Sequence, residues 1–180
     1  DYRATAGEES APLAAFWEKW RGHYGDSGLR DPRGDRLLTE RALWAMRELR
    51  PRLMMINYQD PDYVHWGNAT HYTRAIAVID QGLERLDAAI AADPFYRGRT
   101  VMVVVPDCGR DANPLMAVPY QHHFNSRTAH EIFALFVGAG IAAARTVATA
   151  VDQTSVAATI GALTSVTVGA EGRVLSEIAP

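Results

Sequence analysis

The chain has 180 residues, of which 48% are hydrophobic and 22% are charged, and its formal net charge is −3. This composition is typical of an ordinary globular protein that can bury one substantial core. The weakly acidic balance argues against a nucleic-acid surface. No apolar run approaches the roughly 20 residues that cross a bilayer, and the single cysteine excludes an intramolecular disulfide.

The sequence predicts an irregular N-terminal segment or linker over residues 1–34, because glycines and prolines interrupt most of it. Residues 11–20 are the exception, since they form a short apolar pattern with helical spacing. A longer helix is predicted from Asp35, which caps it, to about Leu49. Apolar residues recur there at helical spacing, and Pro51 stops the helix.

Three apolar runs predict buried strands, at residues 52–57, 100–105 and 132–137. The clearest helix of the chain lies between the first two strands and begins at Asn68 or Thr70. A further helix is capped by Asp152. The alternation of helices and strands predicts an α/β domain over residues 35–180, with a layered sheet and helices on both of its faces.

Polar side chains follow the predicted strands, where α/β sheets commonly bind ligands. They are Asp60, Asp62 and His65 after the first strand, Asp107, Cys108 and Arg110 after the second, and His122 and His123 before the third. Carboxylates and imidazoles are ligands for catalytic zinc, and manganese or iron accepts them too. Such residues also serve as helix caps and surface groups, so each cluster alone has a purely structural interpretation.

Five segments resemble, in the same order, segments of the alkaline phosphatase superfamily, in particular its sulfatases and type I phosphodiesterases. They are MINYQDPDYVHWGNATHYTRAIAVIDQGLERL, TVMVVVPDCGRD, QHHFNSRTAHEIFALFVGAGI, VDQTSVAATIGALTSV and EGRVL. The resemblance as a whole covers roughly residues 42–178. The resemblance implies the C-terminal part of an alkaline-phosphatase-like α/β domain, whose N-terminal portion is missing from this sequence.

The resemblance implies that one metal ion is held by Asp62, His65 and a later histidine. That histidine is His123 or its neighbour His122. Asp60 competes with Asp62 for the carboxylate position, because both precede His65 at a plausible spacing. The expected ion is divalent, with zinc first and manganese, calcium or iron as alternatives.

The resemblance implies a second metal ion at Asp107, where Cys108 takes the place of the histidine that the family usually has. A thiolate is a good zinc ligand, although a buried cysteine also serves as a small apolar filler. Arg110 is expected to bind an oxygen of the substrate, since its planar guanidinium matches phosphate or sulfate. A structural salt bridge is the alternative role for Arg110.

The predicted function is therefore metal-dependent hydrolysis of small-molecule phosphate or sulfate esters. No catalytic residue is predicted, because the family's nucleophile has no counterpart before Asp60. The missing N-terminal half, a partner chain or a second copy is expected to supply it and to cover the sheet edge. Relatives suggest an extracytoplasmic location. The alternatives are a catalytically degenerate member that acts as a binding or structural module, and a domain with one metal held by two histidines and one carboxylate.

Overall fold

The computed structural model describes residues 11–12, 14–16, 18–20, 34–62, 65, 68–111, 120–122 and 126–180. These residues form a mixed α/β structure. The helices are α1 (Asp35–Glu48), α2 (Ala69–Ala92), α3 (Arg127–His130) and α4 (Thr154–Thr164), and the strands are β1 (Val101–Val104) and β2 (Leu135–Gly138). No helix in the described part of the chain is long and apolar enough to cross a membrane.

The chain divides into two compact units. The first comprises Asp1–Asp93 and Arg110–Phe124, and the second comprises Pro94–Gly109 and Asn125–Pro180. Helices α1 and α2 therefore belong to the first unit, whereas both strands and the two shorter helices belong to the second. The residues described between positions 11 and 20 are helical as well.

The predicted helices are confirmed where the local sequence signals are strong. Helix α1 extends over Asp35–Glu48, close to the predicted bounds, and buries Leu37 and Met46. The prediction that Asp35 caps this helix is wrong, because Gly34 holds the capping position and the Asp35 carboxylate binds amides of a distant loop instead. Helix α2 begins after Asn68, whose side-chain oxygen accepts a hydrogen bond from the His71 amide at 3.1 Å. This bond satisfies one of the amides that the first turn of a helix leaves without a partner.

Helices α1 and α2 pack against each other around a polar contact. Thr39 of α1 and Tyr58 of the following loop share a hydrogen bond of 2.9 Å between their hydroxyl groups. Gly82 of α2 faces both groups, so the absence of a side chain allows the close approach. At the rim, Arg85 of α2 and Glu40 of α1 form an ion pair of 2.5 Å.

An aromatic cluster covers the opposite side of α1. Phe16, Leu37 and Trp44 are buried together, and the rings of Phe16 and Trp44 lie 5.8 Å apart between their centroids. Trp20 and Ala45 pack against this cluster. Burial of such aromatic side chains contributes most of the hydrophobic stabilisation of a small unit.

The described sheet is smaller than the predicted layered sheet. Strands β1 and β2 pair antiparallel, with Val101 opposite Gly138 and Val104 opposite Leu135. Residues 52–57 were predicted to be a buried strand, and this prediction is wrong. Within the described residues no strand pairs with this segment, and Met55 is 94% exposed. An apolar run becomes a strand only where a second strand offers hydrogen bonds.

The second unit also contains α4 and the C-terminal segment that packs on it. The Thr159 hydroxyl oxygen accepts a hydrogen bond from the Leu175 amide at 3.0 Å, and both residues are buried. Gln153, not the predicted Asp152, holds the capping position of α4. Asp152 lies one residue earlier, where its carboxylate accepts hydrogen bonds from the amide and the hydroxyl of Thr154. The same bonds lower the pKa of Asp152.

Replacing Gly82 by alanine is expected to destabilise the first unit, although alanine is normally the better helix former by about 1 kcal/mol. The added Cβ atom would lie 2.6 Å from the Thr39 hydroxyl oxygen and 2.8 Å from that of Tyr58. Overpacking of this kind costs about 1–3 kcal/mol. Urea unfolding of Gly82→Ala measures the change, and Gly169→Ala is the matched control, because its Cβ meets nothing within 4 Å. A more stable Gly82→Ala protein would contradict the described packing.

Candidate metal site

The carboxylate of Asp35 fixes the loop from which the candidate ligands extend. Asp35 is 1% exposed, and its two oxygens accept hydrogen bonds from the amides of Gln59 and Asp60, each at 2.8 Å. Asp60 returns the contact, since its own carboxylate accepts a bond from the Asp35 amide at 3.3 Å. The start of α1 and the loop after residue 58 are thereby tied together by three hydrogen bonds.

This reciprocal contact brings two carboxylates out of water. Burial raises the pKa of Asp35, the two amide hydrogen bonds lower it in part, and the negative charge of Asp60 raises it further. Burial also raises the pKa of Asp60, against the opposing effects of the Asp35 amide and of Arg36. In both residues desolvation outweighs the hydrogen bonds. The loop is therefore held by two carboxyl groups whose ionisation is disfavoured by burial.

The loop continues into a tight turn that places Asp62 beside His65. The Asp62 amide donates to the Gln59 carbonyl oxygen at 2.9 Å. Nδ1 of His65 lies 2.6 Å from the Asp62 carbonyl oxygen and 3.3 Å from its carboxylate oxygen Oδ1. A carbonyl oxygen only accepts hydrogen bonds, so Nδ1 of His65 carries a proton. Nε2 is then the nitrogen that is available to accept.

His122 completes a group of three possible metal ligands. Its ring centroid lies 4.7 Å from that of His65, in an edge-on arrangement. One ligand atom from each of Asp62, His65 and His122 lies within 4.8 Å of the others. The neighbouring Gln121 holds this segment in place through two hydrogen bonds. Its side-chain amide donates to the His65 carbonyl oxygen at 3.0 Å, and its backbone carbonyl oxygen accepts from the Asp111 amide at 2.6 Å.

Arg110 is the cation of the site. Its Nη1 atom lies 2.5 Å from Nε2 of His65 and 3.0 Å from the Tyr120 carbonyl oxygen. Its Nη2 atom donates to the Pro61 carbonyl oxygen at 2.9 Å and lies 3.8 Å from the Asp62 carboxylate. The side chain of Arg110 is only 13% exposed, whereas that of Asp62 is 70% exposed. The guanidinium is thus the more enclosed of the two charges.

The chemistry of this donor set fits a divalent transition metal. One carboxylate and two imidazoles are a ligand set of catalytic zinc sites, and iron accepts the same set. Ligand atoms within 4.8 Å of one another require a modest contraction, since zinc–nitrogen bonds are about 2.0–2.1 Å long. The exposed Asp62 side chain has room to move. Nε2 of His65 is the expected ligand atom, because Nδ1 is committed to the Asp62 carbonyl oxygen.

The predicted site residues fall into three groups in the structure. Asp62, His65 and His122 come together with Arg110 in the first unit. Asp60 is engaged with the Asp35 amide instead, so Asp62 is the carboxylate that joins the group. His123 lies outside the described residues.

The residues predicted for a second metal belong to the second unit. The exposed Asp107 accepts a hydrogen bond from the Cys108 amide at 2.9 Å, and Cys108 is half-buried. Among the described residues, no group of three possible ligands includes either of them. The second metal site therefore stays a prediction.

Asp35 and Gln121 are contributors that the sequence does not identify. Asp35 is recognisable as the start of a helix, yet nothing local indicates that its carboxylate binds amides about 25 residues away. Gln121 has no pattern that marks it as a support for the His65 backbone. Both roles follow from contacts between segments that are distant in sequence.

Comparison of the chain with protein-family models, with curated proteins and with solved structures gives no match. The resemblance to the alkaline phosphatase superfamily accordingly stays a prediction. The case for function depends on the geometry around His65.

Replacing Asp35 by alanine is expected to lower the free energy of unfolding by about 2–4 kcal/mol, because it leaves two amides of the loop without their charged acceptor. Urea unfolding measures this loss. Asp87→Ala is the matched control, since Asp87 is exposed on α2, and such a change is expected to stay within about 0.5 kcal/mol. Equal stabilities of the two variants would show that the Asp35 contact does not hold the loop.

The raised pKa of Asp35 gives a pH dependence of definite sign. The folded state binds the Asp35 proton more tightly than the unfolded state, so this contribution to stability is complete below the ordinary aspartate pKa of about 3.9. It is lost as the pH rises through the raised value. As the pH rises through the raised pKa of Asp35, the free energy of unfolding of the wild type is expected to fall relative to that of Asp35→Asn. Above that pH, the difference between the two proteins is expected to stay constant. Urea unfolding at several pH values measures this difference, and a wild type that becomes more stable relative to Asp35→Asn as the pH rises would contradict the prediction.

Proposed function

We propose that this chain is the metal-binding part of a hydrolase that cleaves phosphate or sulfate esters of small molecules. The observation that carries the proposal is the meeting of Asp62, His65 and His122 within 4.8 Å. These residues come from two segments that are more than 50 positions apart. Their convergence supports a ligand set, because sequence neighbours alone would not bring His122 to the Asp62–His65 turn.

The side chains of the group have complementary roles in this proposal. When bound there, a divalent metal polarises the ester and stabilises charge on the reacting oxygens. Asp62, His65 and His122 hold the metal. Arg110 binds a non-bridging oxygen of the phosphate or sulfate group, for which its planar fork of donors is well suited. Binding of the anionic group next to the metal orients the ester for attack.

The finer architecture is also part of the proposal. The mixed α/β chain forms one portion of an alkaline-phosphatase-like layered domain, in which a further segment, a partner chain or a second copy supplies the nucleophile. Asp107 and Cys108 are proposed as ligands of a second ion, with a thiolate in place of the usual imidazole. The five ordered segments of sequence resemblance support this part.

A second candidate is a binding or structural module with one metal and no catalysis. One observation favours it, namely that the described residues contain a single group of three possible ligands. Turnover of an aryl phosphate or aryl sulfate by the zinc-loaded protein separates the two candidates. Metal binding without turnover, also in the presence of the segment or partner chain that would supply the nucleophile, would select the non-catalytic module.

The proposed site predicts that the purified protein binds zinc and that each ligand contributes strongly. We expect a large loss of zinc affinity from each of three substitutions, Asp62→Asn, His65→Ala and His122→Ala. Each loss is expected to exceed the roughly 10–100-fold that removal of a residue supporting a ligand costs. Isothermal titration calorimetry on metal-free protein measures the affinity. His71→Ala is the control, because His71 is exposed and does not belong to the group. Absence of zinc binding, or equal weakening by the control, would reject the site.

A further inference from the structure

The imidazole of His65 has one nitrogen that accepts a hydrogen bond, and Arg110 already uses it. Nδ1 donates to the Asp62 carbonyl oxygen at 2.6 Å, since that oxygen has no proton to give. Nη1 of Arg110 lies 2.5 Å from Nε2. A guanidinium only donates, so Nε2 presents its lone pair to Arg110. A proton on both nitrogens would place two N–H groups against each other.

The position of Arg110 is fixed by the surrounding backbone. The guanidinium donates to the carbonyl oxygens of Tyr120 and Pro61, at 3.0 Å and 2.9 Å, and the side chain is 13% exposed. These two anchors direct Nη1 towards His65. The contact with Nε2 is therefore a property of the enclosed site, and differs from the transient contacts of a surface arginine.

A metal ligand and a hydrogen-bond acceptor use the same lone pair. An imidazole nitrogen has one such pair, so Nε2 of His65 binds either the Arg110 N–H group or a metal ion. Charge acts in the same direction, because a divalent cation beside Asp62 would also repel the guanidinium, which lies 3.8 Å from that carboxylate. The two cations compete for one nitrogen and one carboxylate.

We propose that Arg110 and a divalent cation exclude each other at Nε2 of His65, and that an oxyanion which pairs with Arg110 strengthens metal binding. The inference depends on the metal site proposed above and adds its regulation. Metal binding requires the guanidinium to leave His65, and a tetrahedral oxyanion offers the guanidinium a bidentate partner in exchange. By linkage, the metal strengthens oxyanion binding by the same factor.

The mutational test is zinc titration of metal-free wild type, Arg110→Met and Arg97→Met by isothermal titration calorimetry. The methionine side chain approximates the length of the aliphatic part of arginine and has no N–H group. Arg110→Met is expected to bind zinc about tenfold more tightly or better, as removal of one charge-assisted competitor implies. Arg97 is exposed in the second unit and controls for the loss of one positive charge. Equal or weaker zinc binding by Arg110→Met would overturn the proposal.

The second test needs no substitution in its main arm, so it stays informative if Arg110→Met folds poorly. Zinc affinity of the wild type is measured in sodium sulfate and in sodium chloride at matched ionic strength. Sulfate is expected to raise the affinity severalfold, within the roughly 5–150-fold range of such couplings, and to have no effect in a folded Arg110→Met protein. An affinity that is the same in both salts would contradict the exchange of partners.

The outcomes separate this inference from the metal site itself. Zinc binding that depends on Asp62 and His122 but not on Arg110 or sulfate would leave the metal site in place and overturn the exclusion. Absence of zinc binding in every variant and salt would reject both. Zinc binding that is weak in the wild type and clearly tighter in Arg110→Met would be the strongest support, because it would show that Arg110 opposes a competent set of ligands.

Discussion

The buried carboxylate of Asp35 is the contact on which the candidate site depends. It accepts hydrogen bonds from the amides of Gln59 and Asp60, and the Asp60 carboxylate accepts one from the Asp35 amide. The next hydrogen bond along the chain, from the Asp62 amide to the Gln59 carbonyl oxygen, starts from a residue that Asp35 has already fixed. The turn that presents Asp62 and His65 is therefore built outward from α1.

This construction uses polar contacts where an apolar core would be more stable. Desolvation raises the pKa of both Asp35 and Asp60, so ionising these two carboxyl groups carries a cost. The apolar packing that offsets this cost lies on the other side of α1, around Phe16 and Trp44. Buried polar contacts define one arrangement closely, because any shift leaves an amide or a carboxylate oxygen without a partner. We infer that the contact contributes more to the position of the loop than to its stability.

What the sequence predicts correctly is local, and what it misses joins distant segments. Helix α2 is recognisable from its apolar stripe and from the Asn68 cap, which both lie within the segment. Asp62 and His65 are neighbours on one turn, so their pairing could also be predicted from the sequence. The segment 52–57 fails as a strand, because pairing depends on a partner that composition does not specify. Asp35 is missed for the same reason, since its acceptor role involves amides about 25 residues further along.

The charge balance of the site connects the contacts of Arg110 with the proposed chemistry. Arg110 offsets the charge of the Asp62 carboxylate and donates a hydrogen bond to the acceptor nitrogen of His65. Adding a divalent cation places two positive groups beside a single carboxylate, which is unfavourable unless a second anion enters. The ester group of a phosphate or sulfate substrate is such an anion. Under the proposed function, a site that carries its own cation would favour a metal ion and an anionic ester together over either one alone.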